Sequence, residues 1–407
     1  MATGSKTDNK KIRNSFGVSE FRGAIGDLGT TLPLAFLLIT TNGFPAARIF
    51  FLWGLAYVAV GWYYKVPVSI QPLKAMAVIA ITTGFSASLL SSTAVLYGIL
   101  LLILSATGLI KWLHQWFSQA IVRGIQLSIG LLLAYKAWQL VADKTLYLDG
   151  SGHLGGWIYA LALLVGALLL WSSHKMGRTI ALELIIISIG ATLLAKGSFG
   201  AMEATGAAWQ WQLPEWSQWV NILTLLIIPQ LPLTLGNAVY AADDACHEFW
   251  PEQSGRVTTT RLAGSIGLLD IFIGLMGGFP VCHGAGGIAA HRRFSGKTGG
   301  TVIILGICLV ALALVKGFST LLFLIPIPIL GVLLLFDSWQ MISLVRRLGH
   351  IRQWVTALLI GIVSFVTHNL FIALVVGIAA EKLLSLRFVS VPVSDRLTRL
   401  FELMKEK

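Results

Sequence analysis

The sequence predicts an all-α polytopic membrane protein with about fourteen transmembrane segments, in two inverted seven-helix repeats with half-helices in spans 3 and 10. Of its 407 residues, 56% are hydrophobic and only 12% are Asp, Glu, Lys or Arg, whereas a soluble domain carries about 25% charged residues. Two short segments, Val66–Met76 and Phe279–Arg293, interrupt long apolar stretches with polar, Gly and Pro residues. Such segments favour broken helices, because unpaired backbone groups survive at membrane depth only where they line a cavity or a polar ligand.

The apolar stretches have lengths near the roughly 20 residues that cross a bilayer, and two of them are short. Their approximate bounds are 22–40, 46–64, 70–84, 87–111, 116–139, 156–173, 178–196, 219–242, 258–277, 282–292, 299–316, 317–340, 352–368 and 369–387.

Repeated motifs divide these spans into two halves. Leu32-Pro33-Leu34 in the first span corresponds to Leu231-Pro232-Leu233 in the eighth, and Pro-Val opens both broken segments. An odd number of spans per repeat inverts the second copy relative to the first. The expected organisation is an N-terminal tail (1–20), a first repeat (21–196), an extracytoplasmic connecting loop (197–218), a second repeat (219–388) and a C-terminal tail (389–407).

The distribution of the basic residues predicts the orientation. The net charge is +12, and with a cytoplasmic N-terminus most Lys and Arg residues fall in cytoplasmic loops, which is the positive-inside bias. Both termini are therefore expected to be cytoplasmic, in a multi-pass protein of a bacterial inner membrane or another cell membrane. The basic surface would face anionic lipid headgroups, so no nucleic-acid partner is expected.

The motifs that mark enzymes and metal sites are missing from the sequence. It contains no nucleophile–base constellation, no metal-ligand spacing and no Walker sequence, so we expect neither an enzyme nor a cofactor nor ATP as the energy source. Asp243–Glu248 resembles a metal cluster but is interpreted as a solvated loop. Three dispersed cysteines do not indicate a disulfide framework.

Paired broken helices in the two halves are typical of the binding site of a transporter built from inverted repeats. A half-helix N-terminus presents free N–H groups and the positive end of the helix dipole, which together favour an anion. In the second broken segment, Gly284, Ala285, Gly286 and Gly287 would let backbone approach the ligand closely. Two such ends facing each other suit a compact tetrahedral oxyanion.

Lys74 is the most informative side chain, because an ionisable residue inside a membrane span indicates function by default. It would contact the anion directly or neutralise Asp27 in the first span, and a purely structural Lys–Asp pair is the alternative. Asp27 would position Lys74 or take up a proton that offsets substrate charge.

Uncharged polar residues extend the candidate site. Gln230 and Asn237 lie seven residues apart, which would put both amides on one face of the eighth span. Gln71, Thr30 and His283 would add donors, and Asn237 is also a candidate for charge balance. The alternative for all of them is interhelical hydrogen bonding or packing.

Six segments together make the chain similar to the molybdate transporter family, a relative of the sulfate permeases (SulP anion transporters). They are Gly26–Leu38, Gln71–Met76, Val122–Ala134, Pro229–Val239, Pro280–Gly300 and Ile327–Phe336. The resemblance implies a core of spans 1–4 and 8–11 that carries the site and a gate of spans 5–7 and 12–14. Only residues 389–407 follow Phe388, too few for a sulfate-permease regulatory domain, which favours the molybdate branch.

The expected function is secondary transport of molybdate, and also tungstate, by alternating access. A sulfate, other anion or nucleobase carrier of the same architecture is the alternative, and uptake competition separates the two. A channel would instead conduct far faster than a carrier turns over. Proton coupling, affinity and a homodimeric state are left open by the sequence.

Overall fold

The protein is described by a computed structural model covering residues 13–142, 146–147, 156–175, 181–196, 216–315 and 324–385. These residues are helical apart from turns and one two-stranded sheet, which confirms the prediction of an all-α fold. Five stretches within them are long and apolar enough to cross a membrane: Ala46–Tyr64, Ala87–Thr107, Gln119–Ala142, Gln218–Phe249 and Ile327–Arg347. The full number of fourteen crossings stays a prediction.

The first half of the chain contributes α1 (Val18–Ile25), α2 (Leu28–Asn42), α3 (Ala46–Tyr64), β1 (Gln71–Pro72), α4 (Lys74–Thr83), α5 (Ala87–Thr107), α6 (Leu109–His114), α7 (Gln119–Ala142), α8 (Gly156–Lys175) and α9 (Ala181–Lys196). The second half contributes α10 (Trp216–Asn221), α11 (Ile228–Leu233), α12 (Ala241–Phe249), α13 (Thr259–Leu275), β2 (Val281–Cys282), α14 (Ala285–Arg293), α15 (Gly300–Leu314), α16 (Ile327–Ser343), α17 (Ile351–Thr367) and α18 (Leu370–Ser385). Two π-helices, Ile222–Ile227 and Thr234–Tyr240, flank α11.

The two broken segments meet in the interior. β1 and β2 pair antiparallel, with Gln71 opposite Cys282 and Pro72 opposite Val281, and the Leu73 N–H donates to the Pro280 carbonyl at 3.2 Å. Each strand leads directly into a short helix, α4 or α14. The predicted half-helices therefore exist, and their N-terminal ends leave the same small sheet.

Two helix pairs pack closely through glycine. A Cβ on Gly54 of α3 would lie 2.7 Å from the Gly306 carbonyl oxygen of α15, and one on Gly98 of α5 would lie 2.6 Å from that of Gly267 in α13. Small residues allow this backbone approach in membrane helices. α3 therefore packs on α15 and α5 on α13, while α7 packs on α16 and α17.

The first apolar stretch is not one continuous helix. α1 begins at Val18, the chain turns at Gly26 and Asp27, and α2 follows. A Cβ on Gly26 would lie 2.9 Å from the Ala290 carbonyl oxygen of α14, so the break lets α14 approach. Buried Glu20 secures α1 to the start of α15 by accepting from the Ser15 hydroxyl, the Lys297 and Thr298 N–H groups and the Thr301 hydroxyl.

The predicted domain boundaries stay predictions. Most of the N-terminal tail, most of the connecting loop 197–218 and all of the tail 389–407 lie outside the described residues.

Candidate functional site

The first turns of the two half-helices contain backbone donors without partners. In α4 the Met76 N–H donates to Gln230 Oε1 at 3.0 Å, and in α14 the Gly287 N–H donates to the Gly284 carbonyl at 3.0 Å. The other first-turn N–H groups have no helical acceptor. In the described part of the chain this leaves four of them free, those of Lys74, Ala75, Ala285 and Gly286.

Gln230 acts as a cap for α4. Its amide oxygen accepts the Met76 N–H, and its amide nitrogen donates to the Thr234 hydroxyl at 3.0 Å. Thr234 in turn accepts from the Tyr97 hydroxyl at 2.6 Å. Because its amide holds both the Met76 N–H and the Thr234 hydroxyl, Gln230 orients the half-helix, and its amide nitrogen has a second N–H that these two bonds do not use.

Gln71 connects the two half-helices to Asp27. Its amide nitrogen donates to Asp27 Oδ1, and the Tyr57 hydroxyl donates to Asp27 Oδ2 at 2.8 Å. Gln71 also lies against Gly284, where any Cβ would collide with its side-chain oxygen. Gly284 has φ −68° and ψ 122°, which any residue adopts, so glycine is needed there for space.

His283 is placed beside the site but is already engaged. Its Nδ1 lies 3.1 Å from the Ser69 carbonyl, which can only accept, so Nδ1 carries the proton. Its Nε2 then accepts from the Ser265 hydroxyl at 2.8 Å. The imidazole is fully buried, and we assign it a positioning role between β1 and α13; its expected donation to the substrate is not supported by this geometry.

Lys74 is half-buried at the first residue of α4. Among the described residues it forms no ion pair, and Asp27 accepts hydrogen bonds from Tyr57 and Gln71. Contact of Lys74 with the anion and neutralisation of Asp27 by Lys74 both stay predictions. Lys74 does interact electrostatically with Asp337 of α16, a buried carboxylate whose Oδ2 has no hydrogen-bond partner.

The remaining predicted site residues lie in different surroundings. Gly286 is exposed, and a Cβ there would meet open space, whereas one on Gly287 would collide with Ser69 and Asp27 Oδ1 at 2.6–2.7 Å. Asn237 lies in the π-helix Thr234–Tyr240, where a turn holds more residues than in an α-helix. The seven-residue spacing therefore no longer equals two α-helical turns, and a shared face for Gln230 and Asn237 stays a prediction. The Thr30 side chain lies outside the described residues.

The sequence analysis missed three buried polar residues of this region, which are Tyr57, Asp337 and His291. Tyr57 and Asp337 sit in long apolar helices and carry no local signal beyond polarity. His291 directly precedes two exposed arginines, Arg292 and Arg293, yet it is fully buried.

Comparison with known proteins identifies the family. Residues 19–133 and 223–341 match the family described as "Molybdate transporter of MFS superfamily". Molybdate transporter 2 of Arabidopsis thaliana is 28% identical, covering 91% of this chain and 88% of its own length. Molybdate transporter 1 of the same plant is 27% identical over 82% and 80%, and molybdate transporter 1 of Chlamydomonas reinhardtii is 25% identical over 89% and 91%.

Solved structures share the fold. The transmembrane domain of a cyanobacterium bicarbonate transporter, BicA, aligns with a TM-score of 0.62 at 14% identity, covering 89% of this chain and 96% of that one. SLC26A9 aligns with a TM-score of 0.61 at 14% identity, over 90% of this chain and 64% of its own length. These SulP/SLC26 neighbours agree with the relationship expected from the sequence. The chain belongs to the molybdate transporter family and is an integral membrane protein of SulP-like fold.

Proposed function

We propose that this protein carries molybdate across the membrane by alternating access, with the anion held between the N-terminal ends of α4 and α14. The observation that carries the proposal is the convergence of two half-helices on one small sheet, with four free N–H groups and the half-buried Lys74 ammonium. The names of the related transporters support molybdate as the substrate.

The donor set suits a tetrahedral dianion. Each half-helix supplies backbone N–H groups and the positive end of its dipole, equivalent to roughly half an elementary charge. Lys74 adds one full charge. Together they offset a charge of −2 with few buried cations, and donors on two sides reach oxygens that point in different directions. Tungstate has the same shape and charge, so we expect it to be carried as well.

Alternating access requires two bodies that move against each other. We infer that α1–α5 and α11–α15 form the core and that α7–α9 and α16–α18 form the gate. The packing supports this division, because α3 lies on α15, α5 lies on α13 and α7 lies on α16 and α17. If an inverted two-fold axis relates the halves, α3 corresponds to α13 and α5 to α15, so the α3–α15 contact is equivalent to the α13–α5 contact. The glycine pairs Gly54–Gly306 and Gly98–Gly267, one at each contact, support this relation.

Charge sets the energetic problem for uptake. A dianion that enters a negative-inside cell is opposed by about 4.6 kcal/mol per 100 mV, which is twice the single-charge figure. Net uptake therefore needs a steep gradient, trapping inside the cell, or a cation that enters with the anion.

Competition between oxyanions tests the proposed substrate. Uptake of labelled molybdate is measured in proteoliposomes that contain the purified protein. Tungstate should compete at a similar concentration, because the two anions differ little in size. Sulfate is smaller, so donors fixed for molybdate cannot all close on it, and we expect it to need about tenfold more.

Two results would contradict this proposal. If sulfate displaces molybdate at equal concentration, the proposed selectivity is wrong. If the protein takes up a nucleobase saturably and takes up no molybdate, the proposed substrate is wrong. Empty liposomes provide the background.

A further inference from the structure

Besides Tyr57 and Gln71, the Asp27 carboxylate faces a buried histidine. His291, in the last turn of α14, has its Nε2 3.9 Å from Asp27 Oδ2. His291 is 0% exposed and Asp27 is 1% exposed. His291 Nδ1 lies 2.9 Å from the Gly23 carbonyl oxygen of α1, whereas Nε2 has no hydrogen-bond partner among the residues that the structure describes.

The hydrogen bonds define where protons are. The Gly23 carbonyl can only accept, so His291 Nδ1 carries a proton. In a neutral ring, Nε2 then turns a lone pair toward Asp27 Oδ2. Asp27 is already an acceptor on both oxygens, from Tyr57 and from Gln71. Two acceptors therefore face each other across 3.9 Å in a buried space, and a proton added to Nε2 would turn them into a donor and an acceptor.

We propose that Asp27 and His291 form a buried one-proton site that is loaded together with the oxyanion, with the proton carried on His291 Nε2. The proton comes from solvent and adds to the Nε2 lone pair, which changes the net charge of the pair from −1 to 0. This inference rests on the proposed function, because the anion is the partner whose binding loads the site.

Both members of the pair are connected to the anion site. Asp27 accepts from Gln71, which lies against Gly284 at the start of α14. His291 lies on α14 itself, six residues after Ala285, or about 9 Å along the helix axis. A net negative pair at this distance would repel the dianion, and protonation removes the repulsion. By linkage, the proton and the anion then strengthen each other's binding by the same factor.

Other charged and titratable groups lie near the pair, and they differ in their burial and in their partners. Glu20 on α1 is held by four donors at the start of α15. Arg292 and Arg293 are exposed, and Asp337 of α16 interacts electrostatically with Asp27. The facing helix α12 has its titratable groups at Asp243, Asp244, Cys246, His247 and Glu248, of which Cys246 is the buried one.

Calorimetry on the purified full-length protein tests the site. Molybdate is titrated in HEPES and in Tris, whose different ionisation enthalpies report proton uptake, from about pH 8 to about pH 6.5. For the wild type we expect uptake of about one proton per anion and a Kd about tenfold lower at the acidic end. His291→Gln keeps a neutral polar side chain that does not titrate, so it should bind molybdate with no proton uptake and a flat pH profile.

His247→Gln is the matched control, because His247 also pairs with an aspartate, Asp243, at 3.3 Å but at an exposed position. It should behave as the wild type. Molybdate binding by the wild type without proton uptake, or full proton uptake by His291→Gln, would overturn this inference alone. If His291→Gln does not fold, the wild-type calorimetry still decides. Absence of molybdate binding at every pH would overturn the proposed function and this inference with it.

Discussion

Replacing Lys74 with methionine should weaken molybdate binding about 100-fold, or by about 2.8 kcal/mol. Methionine keeps the length of the side chain but removes its charge. A hydrogen bond to a charged group contributes about 1.5–3 kcal/mol, and the two half-helix dipoles cannot replace a full positive charge opposite a dianion. The measurement is a molybdate titration of the purified variant, with its unfolding temperature compared with that of the wild type.

A matched control and a double variant sharpen this result. Lys136→Met removes another half-buried lysine, on α7, and should bind as the wild type. Because Asp27 is held by Tyr57 and Gln71, adding Asp27→Asn to Lys74→Met should raise affinity only by the factor that Asp27→Asn gives on its own, through loss of the Asp27 negative charge, and should not restore binding. Recovery in the double variant would mean that the lysine acts as the partner of Asp27, and near-normal binding by Lys74→Met would exclude it from the site.

Gly286→Val should abolish molybdate binding while leaving the fold unchanged. The position is exposed and a Cβ there meets open space, so the new side chain strains nothing in the protein. It does fill the space in front of the free Ala285 and Gly286 N–H groups, through which the anion must approach. We expect more than about 100-fold loss of affinity, with the unfolding temperature within about 2 °C of the wild type.

Two other glycines show whether the effect is specific. Gly190→Val in α9 also adds a side chain in open space, at the same intrinsic cost to a helix, and should leave binding intact. Gly284→Val collides with Gln71, so it should lower both affinity and unfolding temperature. Wild-type affinity in Gly286→Val would mean that the anion does not approach the first turn of α14.

Periodicity and composition were sufficient for the location of the helices. Ala46–Tyr64 follows from its apolar stretch, and the positions of α4 and α14 follow from the Pro-Val motifs and the residues after them. These features are local, because a run of about 20 apolar residues or a Gly- and Pro-rich interruption can be recognised without any tertiary contact.

The partners of the polar residues were not predictable in the same way. Gln230 was expected to face the substrate. In the structure it caps α4 by accepting from the Met76 N–H, and Met76 lies more than 150 positions earlier in the chain. The spacing between Gln230 and Asn237 was counted in α-helical turns, whereas Asn237 lies in a π-helix, which leaves no distinct mark in the sequence. Lys74 was expected to contact the anion or to neutralise Asp27, and nothing in the sequence indicated that the Tyr57 hydroxyl of α3 donates to Asp27 Oδ2.

The structure of the protein with molybdate bound tests the central claim most directly, since the heavy molybdenum atom identifies itself by anomalous scattering. The account predicts molybdate oxygens within about 3 Å of the N–H groups of Lys74, Ala75, Ala285 and Gly286, with the Lys74 ammonium beside them. A molybdenum atom more than about 6 Å from the first turns of both α4 and α14 lies beyond hydrogen-bond reach and would contradict it.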